Sequence, residues 1–420
     1  MKVLWLVNGM LPELAKVMGK TSRFVNEGWI SGLLNMIKLD DSIKLTLLAK
    51  GNRIDKGQGD GFEWILYDAS NGEDMVGQFS DILSRLSPDI IHVWGSEYFH
   101  SLAMVNAAKR VNLIGKVVVW IQGLISACSL PYNYFAGMPQ SKWGTKTFYD
   151  CIMNTSMVSQ QRAFLSRGVN EMELFNNVNY CIGRTEWDRH FVLSINDSLK
   201  YYSCNETLRD DFYSGRWLYK NCQAHSIFVS QASYPLKGFH VLLEALPHIR
   251  EKYPDVKIYV SGYDIMGYSS VISFLKLKGY GKYLRSLVRK YKIRKNLCFT
   301  GRLSAAKMKQ YYLNANVFVC CSGLENSSNS VGEAMMLGVP TVVSHVGGIP
   351  SIIRCEDETL CYNNNDSISL AEKICRVFEL KDNISDMVEK AHVHALYNHD
   401  RDKNLSRLKE IYRIIYESYK

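Results

Sequence analysis

Hydrophobic and polar positions alternate between two patterns along this chain. Short apolar runs suited to buried parallel strands occur at Val3–Val7, Lys44–Ala49, Asp89–Trp94, Lys116–Ile121 and Val178–Ile182. Helical periodicity fills some of the gaps, as at Asn26–Ile37 and Ser101–Arg110. The second half repeats the scheme. Strands are expected at Ser226–Gln231, Lys257–Ser261, Leu297–Thr300, Asn316–Cys321 and Pro340–Ser344. Helices are expected at Gly238–Lys252, Tyr283–Tyr291, Ser304–Asn314 and Ser330–Leu337, with Ser304 as an N-cap. Tyr283, Leu284, Leu287, Val288 and Tyr291 share one face of their helix, while Lys282, Arg285, Arg289 and Lys292 share another. That is the pattern of an amphipathic surface helix.

Strand–helix alternation implies parallel sheets with helices on both faces. At 420 residues the chain is long enough for two such domains. The expected division is an N-terminal Rossmann-like domain over 1–190 and a polar, aromatic, irregular linker over 191–222. A C-terminal Rossmann-like domain follows over 223–400, then a helix over 401–420. Two doubly wound α/β domains in series leave a cleft between them, with ligands at the carboxyl ends of the strands.

Composition narrows the class. The chain is 47% hydrophobic and 22% charged, which excludes disorder. Met1–Met10 has a short apolar run without a cleavage-site pattern and reads as a first strand, not a secretory signal. No stretch is long and apolar enough to span a membrane. Eleven scattered cysteines without zinc spacing suggest buried thiols in a reducing compartment, hence a cytoplasmic protein. The net charge of +9 has one source: Ile265–Leu324 holds twelve Lys or Arg and no Asp or Glu, while the other 360 residues hold 38 basic and 41 acidic groups. This segment faces nucleotide phosphates, anionic lipid, nucleic acid or only water. No nucleic-acid-binding module is recognisable, so no nucleic acid is expected.

The densest chemistry lies in Ser322–Gly348, SGLENSSNSVGEAMMLGVPTVVSHVGG. Glu325 sits in a polar loop, and Glu333 is expected in the first turn of the helix that follows. Small residues between them let a ligand approach the backbone, and free amides at the helix start favour a diphosphate. Taken singly, Glu333 could merely complement the helix dipole, and Asn329 or Ser330 could be an ordinary N-cap. The whole segment resembles the signature of glycosyltransferase family 4, retaining nucleotide-sugar transferases of GT-B fold. Two glutamates with seven residues between them precede Ala334-Met335 and a Gly338-x-Pro340 turn. The resemblance implies that Glu325 contacts the transferred sugar and Glu333 the ribose hydroxyls. It also implies that the backbone from Asn326 through Ser327 and Asn329 to Ser330 meets the sugar and diphosphate.

Lys237-Gly238, after the first strand of the second domain, is a further match, and the resemblance gives Lys237 the task of neutralising the leaving diphosphate. Where the family places an arginine after that strand, this chain has Gln231; Arg302 is a candidate replacement. Where the family ends an N-terminal-domain strand in His-Gly, this chain has Gln122-Gly123, and Gln122 only donates or accepts hydrogen bonds. Cys181–Asp188, Tyr201–Arg209 and Ser233–Gly238 are similar to strings in bacterial capsular and surface-polysaccharide transferases. Within the first of these, Arg184 and Glu186 are candidates for acceptor binding or for holding domains together.

The resemblance therefore implies transfer of a hexose-type sugar from a UDP-, GDP- or ADP-sugar to a saccharide or lipid-linked saccharide. It implies retention of configuration, with no metal and no cofactor. Apart from the resemblance, the basic amphipathic helix could touch an anionic membrane carrying a lipid-linked acceptor, at the inner face of the cell membrane, or could simply be a solvated face. By the same resemblance the last helix crosses back to the N-terminal domain. The lone Asp-x-Asp string, Asp400-Arg401-Asp402, reads as a helix cap. The histidines lack ligand spacing. A nucleotide-sugar epimerase of the same fold, or a non-catalytic partner of a polysaccharide assembly complex, are the alternatives. No dinucleotide fingerprint, P-loop or nucleophile elbow is present, which disfavours dehydrogenases, NTPases and esterases.

Overall fold

A computed structural model describes residues 1–20, 28–69 and 74–419. The chain divides into two compact units: Met1–Ser126 with Ser166–Arg209 and Asn398–Lys420, and Ala127–Leu165 with Asp210–Tyr397. This differs from the expected boundaries in two places. Residues 127–165, expected within a domain over 1–190, group with the second unit. The division after Arg209 falls inside the expected linker.

Among the described residues of the first unit, eight strands form one sheet. They are β1 (Lys2–Leu6), β2 (Lys44–Gly51), β3 (Asp55–Gln58), β4 (Glu63–Asp68), β5 (Ile90–Trp94), β6 (Val117–Trp120), β7 (Tyr180–Gly183) and β8 (Lys200–Ser203). Their order is β3-β4-β2-β1-β5-β6-β7-β8. All neighbours run parallel except β3, which pairs antiparallel with β4 at one edge. The doubly wound parallel sheet expected from the sequence is thus present, with one antiparallel edge strand added to it. β8 also lies within 191–222, read as irregular, and pairs with β7 from Tyr180↔Lys200 to Gly183↔Ser203. The helix expected from Asn26 is described from Gly28 to Ile37; Asn26 and Glu27 lie outside the described residues.

The central strands β1, β5 and β6 are buried on both faces, which is why they read as continuous apolar runs. Trp94 and Trp120 stack at 4.8 Å, and His92 stacks on Trp94 at 4.4 Å. The helix Arg401–Tyr419 completes this core with Leu408, Ile411, Tyr412 and Ile415. The Trp5 indole Nε1–H donates to the Tyr412 hydroxyl at 2.9 Å. Asp400 receives the Lys403 amide at 2.9 Å, so the Asp-x-Asp string begins this helix with a cap.

In the second unit, β9 (Ser226–Val229), β10 (Lys257–Val260), β11 (Leu297–Phe299), β12 (Val317–Cys320), β13 (Thr341–Ser344) and β14 (Leu360–Tyr362) form a parallel sheet in the order β11-β10-β9-β12-β13-β14. The order reverses at β9 and β12, so the carboxyl ends of these two strands form the switch point where doubly wound sheets bind ligands. Ser304 caps the helix Ala305–Asn314 by accepting the Lys307 amide. Tyr283, Leu284, Leu287 and Val288 are buried inside the unit, so the apolar face of the basic helix is consumed by the core. The thiols are not all free: Cys355 and Cys361 form a disulfide across a tight connection into β14, their Cα atoms 5.5 Å apart. Among the described residues no helix is long and apolar enough to cross a membrane.

Candidate functional site

A cavity of about 170 Å³ opens at the switch point of the second unit. The ends of β9 and β12, the Lys237 turn and the loop into the helix Asn329–Leu337 form its walls. Gln231, Lys237, Glu325, Ser327, Asn329 and Ser330 all line it, so most of the sequence-derived donor residues converge here.

Backbone packing explains the convergence. Gly238 has φ +64°, and a Cβ there would lie 1.7 Å from the Cys321 carbonyl oxygen. Only glycine lets the turn after β9 press this closely on the end of β12. The Gly323 amide donates to the Leu236 carbonyl at 2.7 Å and locks the two segments together. On the other side, Gly347 (φ +50°) would place a Cβ 2.2 Å from the Glu325 carbonyl, which accepts the Gly348 amide at 3.0 Å. Lys237 and Glu325 are therefore held by two glycine contacts.

Their side chains meet inside the cavity. The Lys237 ammonium donates to Glu325 Oε1 at 2.7 Å, and both side chains are about 15% exposed (16% and 15%). Ser322 Oγ donates to the same oxygen at 2.6 Å. Burial alone would push the Lys237 pKa down, but the adjacent Glu325 carboxylate outweighs it and holds the ammonium above the usual lysine value. Burial, with the Glu325 charge adding, pushes the Cys320 thiol up to about 11, so it stays neutral. The site thus presents one fixed cation and one carboxylate.

The helix beside them starts at Asn329, with Ser328 in the cap position and no side-chain cap hydrogen bond. Neither Asn329 nor Ser330 is the N-cap, because helical backbone already begins at Asn329. Ser330 Oγ accepts from Ser230 Oγ at 3.1 Å, tying the helix start to β9. Glu333 lies in the second turn, not the first, and is 4% exposed. It is too deep to complement the helix dipole at the surface. The described lining residues do not include Glu333, Asn326 or Arg302. Asn326, within the loop, is buried. Arg302 is exposed, over the Tyr263 ring at 5.3 Å, and the structure does not bring it to Gln231.

In the first unit the sequence candidates have local structural duties. Arg184 Nη1 pairs with Glu206 Oε2 at 2.7 Å, both side chains nearly fully buried. Its Nη2 reaches the Gln122 carbonyl at 3.4 Å. Thr185 and Asp188 form a capping box, and Asp188 also accepts from the Arg184 amide and the Tyr201 hydroxyl. Much of the Cys181–Asp188 string is accounted for as a strand end and a helix start. Glu186 is exposed and pairs with Arg189. Gln122 Nε2 is buried without a hydrogen-bond partner among the described residues. Among those residues, no three His, Cys, Asp or Glu side chains form a metal-ligand set.

Sequence reasoning passed over Ser230, Ser322 and the pair Cys320–Cys321, which also line the cavity. Their signal was positional: each sits at or just beyond the end of β9 or β12.

Known proteins share this architecture. Sucrose-phosphate synthase from Thermosynechococcus elongatus superposes over 100% of both chains with a TM-score of 0.67 at 12% identity. HepE of Anabaena, solved with UDP and glucose, superposes over 98% of this chain and 99% of its own, with a TM-score of 0.65 at 14% identity. The fold is GT-B. Residues 220–394 match the family model described as glycosyl transferases group 1. In sequence, the chain is 29% identical to a putative glycosyltransferase, YtcC, of Bacillus subtilis over 167 residues, 39% of each chain. It is 33% identical to spore coat protein SA of the same organism over 129 residues, 30% of this chain and 32% of that one. These matches span less than two-fifths of the relatives' lengths.

Proposed function

We propose that this protein transfers a hexose-type sugar from a nucleoside-diphosphate sugar to a saccharide or lipid-linked saccharide, with retention at the anomeric carbon. The observation that carries the reading is the partly buried Lys237–Glu325 pair beside a helix start that lacks a side-chain cap. Breaking the sugar–phosphate bond builds negative charge on the leaving diphosphate, and a pre-placed cation and aligned amides stabilise it without reorganisation. An ammonium has three donors, and Glu325 uses one, so Lys237 can hold Glu325 and a phosphate oxygen together. Glu325, thus oriented, faces the sugar; Glu333 serves the ribose. With this cation built into the chain, the reading needs no metal. The donor nucleoside is uridine, guanosine or adenosine. The acceptor class, and a place in surface-polysaccharide synthesis, rest on the family resemblance.

A panel of nucleotide sugars tests the proposal by thermal shift and by release of free diphosphate, with and without magnesium. Wild type is compared with Lys237→Ala and Glu333→Ala. One donor should stabilise the wild type and be slowly hydrolysed, with both effects lost in the variants. Absence of any shift with all nucleotide sugars and nucleoside diphosphates would remove the reading.

A further inference from the structure

The second unit carries an apolar patch that its own core does not use. Ser270 and Ser273 form a capping box that starts the five-residue helix Val271–Leu275. Four of its side chains are large and apolar, and all are exposed: Val271 75%, Ile272 65%, Phe274 52% and Leu275 66%. A second short helix, Phe148–Met153, exposes Phe148, Ile152 and Met153. The two helices belong to one surface region. Thr147 Oγ1 donates to the Leu277 carbonyl at 2.6 Å, the Gly279 amide donates to Asp150 Oδ2 at 2.7 Å, and Lys282 Nζ donates to the Lys146 carbonyl at 3.2 Å. Seven exposed apolar side chains around one joint exceed the scattered single residues of an ordinary surface.

The surrounding charge is of one sign. Lys142, Lys146, Lys276, Lys278 and Lys282 are exposed around the joint, and Arg285 lies over the Phe274 ring at 5.0 Å. Residues 127–170 and 263–324 hold one acidic residue each, Asp150 and Asp264. Both are engaged: Asp150 accepts from Thr147, Thr155 and Gly279, and Asp264 accepts the Met266 and Tyr268 amides. Apolar side chains ringed by lysines, without a free carboxylate, match a surface of acyl chains beneath anionic headgroups.

We propose that this patch docks the protein on an anionic phospholipid bilayer, with the helix Val271–Leu275 and Phe148 entering the headgroup–acyl boundary. The contact is made by a different element from the basic helix Gly279–Tyr291, whose apolar face is buried. It is independent of the transferase reading, because binding is read without turnover.

The test is flotation of the full chain with vesicles of phosphatidylcholine alone, or of phosphatidylcholine mixed with phosphatidylglycerol, at low and high salt. Wild type should float with the anionic vesicles and lose that association as salt rises. Ile272→Ser with Leu275→Ser should weaken binding at least about tenfold, and Phe148→Ser should weaken it as well. Lys276→Glu with Lys278→Glu should abolish the preference for anionic lipid. All these positions are exposed, so the unfolding temperature should not change. Equal flotation of wild type and the Ile272/Leu275 variant, or no flotation of wild type, overturns the proposal. It is overturned too if light scattering shows a wild-type dimer that the same substitutions convert to monomer; the patch then receives a second copy of the chain.

Discussion

The Lys237 ammonium donates to the Glu325 carboxylate at 2.7 Å across 88 residues of sequence, inside the cavity at the switch point of the second sheet. Each charge is the other's compensation where both side chains are about 15% exposed (16% and 15%).

Lys237→Met should leave Glu325 without its cation and lower stability by about 1–3 kcal/mol. Donor turnover should fall by roughly 10²–10³ if Lys237 meets the leaving diphosphate. Adding Glu325→Gln should restore most of the stability and none of the turnover. Denaturant unfolding and donor hydrolysis on wild type and the two variants separate the two effects.

Gly238→Ala puts a Cβ 1.7 Å from the Cys321 carbonyl at a φ of +64°. The turn must move, so a loss of about 2 kcal/mol or more is expected, together with loss of nucleotide binding. Alanine at Gly123, where a Cβ meets nothing within 4 Å, is the control and should be nearly silent.

Arg184 and Glu206 are a buried pair. Arg184→Met alone should cost about 3–5 kcal/mol, whereas Arg184→Met with Glu206→Leu should recover much of it. If Arg184 instead bound acceptor, the single variant would keep its unfolding midpoint and lose only transfer.

Glu97, just past the end of β5, has its carboxyl pushed up to about 8, chiefly by burial, with the Glu171 charge adding to the rise and Arg167 opposing it. Glu171 is shifted in the same direction. Between about pH 4.5 and 8 the folded chain holds a proton on Glu97 that the unfolded chain has lost. Stability should therefore fall as pH rises through this window, by at most about 1.4 kcal/mol per pH unit for the one group. Glu97→Gln should remove that part of the slope in denaturant midpoints measured across the window.

The parts of this fold that could be read from the sequence are those whose burial is local. The strands β1, β5, β6, β9 and β12 announce themselves because both faces are covered. β3, Asp-Lys-Gly-Gln, has no apolar alternation and exists only because β4 offers it an edge. The placement of residues 127–165 was equally hidden: it depends on contacts such as His240 Nε2 with the Ala136 carbonyl at 2.8 Å, which no local pattern encodes. In the site, Lys237, Glu325 and the small residues between the glutamates were legible because backbone approach demands glycine and serine there. The depth of Glu333 was not, since one turn of helix separates a surface carboxylate from a buried one.

The hydrogen bond from Trp5 to Tyr412 joins positions 407 residues apart. During synthesis, at about 5–20 residues per second, β1 waits tens of seconds for the helix that seals it. The second unit, by contrast, is fully made by Tyr397. The half of the molecule that begins first is thus the last that can be finished. Chains truncated near residue 400 and released from the ribosome should expose their first sheet to proteases and chaperones while the second unit already resists them.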